Sequence, residues 1–208
     1  MANFGGGGLA NFPPVVKNLL IANVIVFIAQ KIFANQAIPL EYYGALWSID
    51  SGNFKIWQLV THMFMHDQNL FIHILFNMLT LWMFGSSLEN FWGAKRFLQF
   101  YFICGIAAGC AQLLMTTGTS YAVGASGAVM GVMAAFAYLF PNTSLFMMFI
   151  PIPIKAKYAI PGLMLLDIFG AVSPRAGDNV AHWAHLGGAL AGFILVLIWN
   201  KTNRKNFY

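Results

Sequence analysis

The chain has 208 residues, 59% of them hydrophobic and only 8% charged, against roughly 25% charged in an ordinary soluble domain. This balance argues against a soluble fold, and the length suffices for several membrane spans of about 20 residues each, with little left for a separate domain. The net charge of +5 does not point to nucleic acid, because the lysines and arginines lie between or after apolar segments and no basic run is interleaved with aromatics.

The N-terminal stretch MANFGGGGLANFPP is glycine-rich and uncharged, and it lacks the basic start and small-residue cleavage site of a signal peptide. Residues 1–14 therefore read as a flexible lead into a first span that is retained as an anchor. Six apolar segments follow, separated by Pro, Gly and polar clusters, at residues 15–33, 70–92, 97–115, 126–140, 156–170 and 181–200. The sequence thus predicts an all-α membrane protein, with a six-helix domain over residues 15–200 and a short basic tail at 201–208. Between the first two spans, EYYGALWSIDSGNFKIWQLVTHMFMHDQN mixes aromatics with alternating polarity, as expected of a structured segment lying in the membrane interface. On the third span, Cys104 and Cys110 are about 240° apart around a helix and cannot readily bridge. Pro161 and Asp167 interrupt the fifth span, and the run LFMMFIPIPI offers a competing re-entrant segment.

With the N-terminus inside, Lys17, Lys95, Arg96, Lys155, Lys157, Lys201, Arg204 and Lys205 fall on the inner side, and Lys31, Lys55 and Arg175 on the outer. That excess fits an even number of spans with both termini cytoplasmic. Short loops and the lack of a transit peptide lean toward a bacterial plasma membrane.

Polar side chains within spans are costly unless paired or facing water, so they are functional candidates. All five histidines, His62, His66, His73, His182 and His185, map to the outer half of this topology. His73 and Asn77 lie about 40° apart on one helix face, either lining a cavity or joining helices by hydrogen bonds. The stretch GASGAVMG contributes Gly124, Gly127 and Gly131, and HWAHLGGALAG contributes Gly187, Gly188 and Gly192. Small residues four apart let helix backbones approach closely. If these two faces pack together, Ser126 and His185 meet at their outer ends. A neutral imidazole within reach makes the serine hydroxyl a nucleophile, and His73, Asn77 and the Ser126 backbone N–H are candidate donors for a developing oxyanion. Asp167 and Asp178 are near His185 in sequence but neither position compels an orienting role, which favours a Ser-His dyad over a triad.

Together, WQLVTHMFMH, HILFN, GSSLENFWG, GASGAVMG and AHLGG, in this order from Trp57 to about Phe193, resemble the rhomboid family of intramembrane serine proteases. The resemblance implies a six-helix bundle with Ser126 as nucleophile, His185 as general base and acid, and His73 with Asn77 at the oxyanion site. It also implies that the segment after the first span is an interfacial loop and that the fifth helix is a lateral gate. The substrates would be single-span membrane proteins in a lipid bilayer, cut near the outer surface where their helices unwind easily. Where the family usually has Trp-Arg this chain has Trp57 and Gln58, which spares the chemistry and bears on how the loop is anchored to headgroups. His182 is read as a neighbour of His185 near a water-filled entrance, His62 and His66 as shaping the loop and cavity, and Glu89 as an acceptor for nearby backbone.

Three rivals are less well supported. A histidine metal site lacks the glutamate of His-Glu-x-x-His and obvious supporting residues, so no metal or other cofactor is expected. A non-catalytic chaperone that binds unstable helices has no need of both Ser126 and His185. A transporter would show paired discontinuous helices in its two halves.

Overall fold

The computed structural model describes residues 12–34, 39–147, 150–173 and 180–202. Most of the expected lead at 1–14 and tail at 201–208 lies outside them, although Phe12 stacks on Trp82 with ring centroids 6.4 Å apart.

Helix α1, Pro14–Phe33, begins on a proline, whose fixed φ suits a first turn. Its first amides are capped from a distance. Val15 N–H donates to Glu89 Oε1 (2.9 Å) and Val16 N–H to Glu89 Oε2 (2.7 Å), which places a buried carboxylate at the positive end of the helix dipole. Glu89 thus accepts from backbone, as expected.

The segment after α1 is structured. It contains α2 (Leu40–Gly44), strand β1 (Leu46–Trp47), a 3₁₀ turn at Ile49–Ser51, α3 (Gln58–Thr61) and a second 3₁₀ turn at His62–Phe64. Strand β1 pairs antiparallel with β2 (Tyr121–Ala122), Leu46 opposite Ala122 and Trp47 opposite Tyr121. Gln58 turns inward and ties the segment together. Its side chain accepts from Trp47 N–H (3.3 Å) and Lys55 N–H (3.1 Å) and donates to the Asn53 carbonyl (3.2 Å), while Trp57 is exposed.

Helix α4, Phe71–Thr80, runs through a π-helical turn at Leu81–Gly85 into α5, Ser86–Trp92, forming one apolar helix of 22 residues. Gly93, at φ 83°, reverses the chain in a single residue, a backbone state that L side chains resist. Then follow α6 (Ala94–Met115), α7 (Ser126–Leu139), α8 (Ala156–Val172) and α9 (His182–Thr202). Four helices, Pro14–Phe33, Phe71–Trp92, Ala94–Met115 and His182–Lys201, are long and apolar enough to cross a membrane, and α7 is a shorter apolar helix.

The re-entrant alternative for LFMMFIPIPI is not what forms. Ser144–Met147 (β3) and Ile150–Lys155 (β4) make an antiparallel hairpin, with Leu145 opposite Ile154. In a two-stranded ribbon both strands are edges, so proline need not donate to a ladder, and the residue before each proline is held extended. Pro161, by contrast, is accommodated inside α8, as proline often is in membrane helices.

Helix α7 is the centre of the bundle: residues 127–136 are all buried, packed against α6 and α9. The glycines permit this. A Cβ on Gly192 would lie 2.5 Å from the Gly131 carbonyl oxygen, and one on Gly131 would lie 2.8 Å from that of Gly188. Backbone therefore meets backbone along α7 and α9. One end of the bundle joins the start of α1, the α5–α6 reversal and the ends of α7 and α9. There Trp92 meets Trp199 with centroids 5.5 Å apart, and Asn200 donates to the Tyr138 hydroxyl at 3.0 Å. The histidines gather at the opposite end.

Candidate active site

Ser126 is the first residue of α7 and His185 lies in the first turn of α9. The glycine contacts bring these turns together, and His185 Nε2 stands 2.8 Å from Ser126 Oγ. On the other side of the ring, His185 Nδ1 is 3.0 Å from Asp167 Oδ1, and the same oxygen is 2.7 Å from His182 Nδ1. A carboxylate only accepts, so both imidazoles donate to it through Nδ1–H. That tautomer leaves the Nε2 lone pair of His185 to accept the serine proton. Both histidine side chains keep 16% of their surface exposed, so the group is not sealed.

Here the structure departs from the sequence-based expectation of a dyad without an orienting carboxylate: Asp167 on α8 reaches across to α9. His182, expected to be a neighbour only, shares the carboxylate with His185, and its ring lies against Gly170. Asp167, His182 and His185 each bring one potential ligand atom within 4.8 Å of the others, a spacing short enough for a shared cation. Asp178, the other acidic candidate, lies outside the described residues.

Gly124, expected among the helix-packing glycines, instead precedes α7 and does a different job. Its φ is 127°, and its N–H donates to the His62 carbonyl at 2.9 Å. A Cβ there would stand 3.1 Å from His73 Nε2 and 3.5 Å from Ser126 Oγ. The hydrogen-only side chain keeps open a niche that the His73 edge and the serine hydroxyl both face. His73 Nδ1 accepts from Asp67 N–H at 3.3 Å, which leaves the His73 proton on Nε2, toward that niche. The Ser126 N–H, in the first turn of α7, has no protein acceptor among the described residues, as expected of a helix start. Asn77 is buried one turn from His73 and donates one amide hydrogen to the His73 carbonyl at 2.8 Å. No direct contact joins Asn77 to Ser126 among the described residues.

The remaining histidines are framework. His62 Nδ1 bonds the Gln58 carbonyl at 2.7 Å, and burial lowers its pKa to about 4. His66 Nε2 bonds Asn23 Oδ1 at 2.9 Å and its ring packs edge-on against His73 at 5.4 Å. Burial, with a smaller contribution from His73, brings it to about 3. Gln30 completes this cluster, its carbonyl accepting from His66 N–H (2.9 Å) and its amide donating to Glu41 (2.6 Å). Asn23 and Gln30 are fully buried on α1, and the cost of polar groups in a span is the signal that singles them out. They support the histidine that packs on His73.

A helical bundle with four helices long and apolar enough to cross a membrane thus holds a serine and an imidazole in hydrogen-bond contact at one end. A model of the Rhomboid domain matches residues 53–201, and the chain belongs to the rhomboid family. It is 31% identical over 204 residues to a zebrafish (Danio rerio) protein named presenilin-associated rhomboid-like protein A, mitochondrial, covering 93% of this chain and 51% of that protein. It is also 28% identical to rhomboid-like protease 3 of Toxoplasma gondii (88% and 68%) and 33% identical to rhomboid protein 1, mitochondrial, of Saccharomyces cerevisiae (68% and 41%). The chain spans about half the length of the zebrafish relative. Two of these three relatives carry mitochondrial names, so they give no support to the bacterial plasma membrane favoured from loop length.

Proposed function

We propose that this protein is an intramembrane serine endopeptidase that cuts transmembrane segments of single-span membrane proteins. The observation that carries the reading is the 2.8 Å contact between Ser126 Oγ and His185 Nε2. His185 takes the Ser126 proton as Oγ bonds to the scissile carbonyl carbon, and the electron pair of the C=O moves to oxygen. His73 Nε2–H, the Ser126 N–H and the second amide hydrogen of Asn77 donate to that oxyanion. Collapse expels the amine, which receives the proton from His185, and water repeats the sequence to release the acid and restore the serine. Asp167 holds His185 in the required tautomer and offsets its positive charge.

In this reading α1, α4–α5, α6, α7, α8 and α9 are the six spans, both termini lie on one side, and the α1–α4 segment rests in the interface, with residues 15–200 as one domain. Helix α7, 14 residues long, is about 21 Å end to end against a hydrocarbon thickness of roughly 30 Å. With its Leu139 end at the inner boundary, Ser126 lies roughly 9 Å below the outer one. Helix α8 serves as the lateral gate. Its buried residues, Ala156, Ala159 and Ile160, are all at its inner end, while Leu165, Leu166, Phe169 and Val172 further along are exposed.

The test is labelling of purified protein with a fluorophosphonate, followed by mass mapping of the modified peptide. The label is expected on Ser126, with cleavage of a single-span test substrate lost in Ser126→Ala. A folded protein that neither labels nor cleaves refutes the reading and leaves a non-catalytic helix-binding role; cleavage retained by Ser126→Ala refutes the assignment of the nucleophile.

A further inference from the structure

At the end of the bundle opposite the serine, a cleft of about 470 Å³ opens between the α5–α6 reversal and the end of α9, lined by Trp92, Lys95, Arg96, Gln99 and Trp199 among others. Nothing in the peptidase chemistry uses it. The Arg96 guanidinium lies over the Trp199 ring, 4.5 Å from its centroid, and Trp92 closes the aromatic wall against Phe100 and Trp199, at 4.9 and 5.5 Å. Stacking occupies the flat face of a guanidinium and leaves its in-plane N–H donors free for an oxyanion. Among the described residues, neither Arg96 nor Lys95 has a carboxylate or any other hydrogen-bond acceptor, and Gln99 has no hydrogen-bond partner. Among the described residues, the cleft therefore carries two cations and no compensating anion.

We infer that this cleft is a binding site for the phosphate headgroup of an anionic phospholipid. Three features favour that ligand. The cleft lies where one membrane-length helix begins, at Ala94, and another ends, at Lys201, which is the depth of a headgroup. Paired indoles suit the boundary between hydrocarbon and water, apolar in body with a polar N–H. Basic pockets between membrane helices recognise phosphate through charge and donors together. A general topological excess of positive charge would need neither the indole wall nor a guanidinium immobilised on it.

The experiment is lipid retention by the full chain, purified in neutral detergent with phosphatidylglycerol and phosphatidylcholine in equal amounts and read by native mass spectrometry. The expected result is preferential retention of one phosphatidylglycerol. The double variant Lys95→Gln/Arg96→Gln should lower it roughly tenfold or more, since each cation near the surface contributes several-fold. Gln99→Glu, at an exposed cleft position where folding is not at stake, should also weaken it. Lys155→Gln/Lys157→Gln, at the end of β4 and in the first turn of α8 at the same end, should leave it unchanged. Equal retention of the two lipids overturns the site, as does loss of retention to the same extent in the Lys155/Lys157 control. Displacement by millimolar inorganic phosphate overturns the lipid assignment.

Discussion

Replacing Gly188 by alanine tests the packing that the proposed chemistry depends on. A Cβ at this position would come within 2.6 Å of the Gly127 carbonyl carbon and closer still to its oxygen, and that neighbour is backbone, which cannot swing aside. Restoring ordinary contact requires α7 and α9 to separate by roughly 1 Å. Gly127 follows Ser126 directly and Gly188 lies one turn beyond His185, so most of that displacement reaches the 2.8 Å contact between Oγ and Nε2 and takes it past hydrogen-bond reach. Losing a positioned general base costs about 10²- to 10⁴-fold, and the overpacking itself about 1–3 kcal/mol of stability. The assay is the rate of fluorophosphonate labelling and of substrate cleavage by the folded fraction, with thermal unfolding in detergent measured alongside. Labelling at the unsubstituted rate in a folded Gly188→Ala protein would refute the reasoning. Gly162, on α8, where an added Cβ would meet nothing within 4 Å, is the comparison: Gly162→Ala is expected to leave stability equal or slightly raised.

Asp167→Asn keeps the shape but offers an amide that can donate to Nδ1, which favours the wrong tautomer of His185. Turnover should fall at least tenfold, toward the ~10⁴-fold known for such replacements in other serine proteases, with substrate KM little changed; unchanged kcat would remove Asp167 from the mechanism. His62 and His66 are buried neutral, with folded pKa values of about 4 and about 3 against roughly 6.5 unfolded. Because the unfolded chain takes up protons first, stability is fully present above about pH 6.5 and declines as pH falls toward 4, by up to about 1.4 kcal/mol per pH unit for each histidine. Thermal unfolding between pH 7 and pH 4.5 checks this, and a flat profile contradicts it. Glu89→Gln loses one of two acceptors and sets an amide donor against a first-turn N–H of α1, at a cost of about 1–3 kcal/mol. An unchanged unfolding temperature would show that the cap contributes nothing.

The helices are legible in the sequence because apolar length and punctuation by Pro and Gly are local properties, and the expected segments agree with the observed ones to within three residues. Ser126 and His185 can be paired for a related reason: glycines four apart mark a face, and two such faces at one depth imply contact. Asp167 cannot be placed that way. Its partner depends on how far α8 is rotated against α9, and no small-residue face records that rotation. The hairpin at 144–155 escapes a hydropathy reading because isoleucine and methionine register as apolar in either setting, whereas the alternation of proline with isoleucine decides the backbone. Composition groups Gly124 with its neighbours, although its φ of 127° separates it from them.

The two imidazoles ride on α9, while the carboxylate they share hangs from α8, a helix whose buried residues all lie near its Ala156 end. Swinging α8 outward to admit a substrate helix would carry Asp167 with it and leave the basic nitrogen without its anchor. If α8 is the gate proposed above, access and reactivity are opposed along one mechanical coordinate: the widest doorway belongs to the least competent serine, and full reactivity returns only as the chain closes around what it has let in.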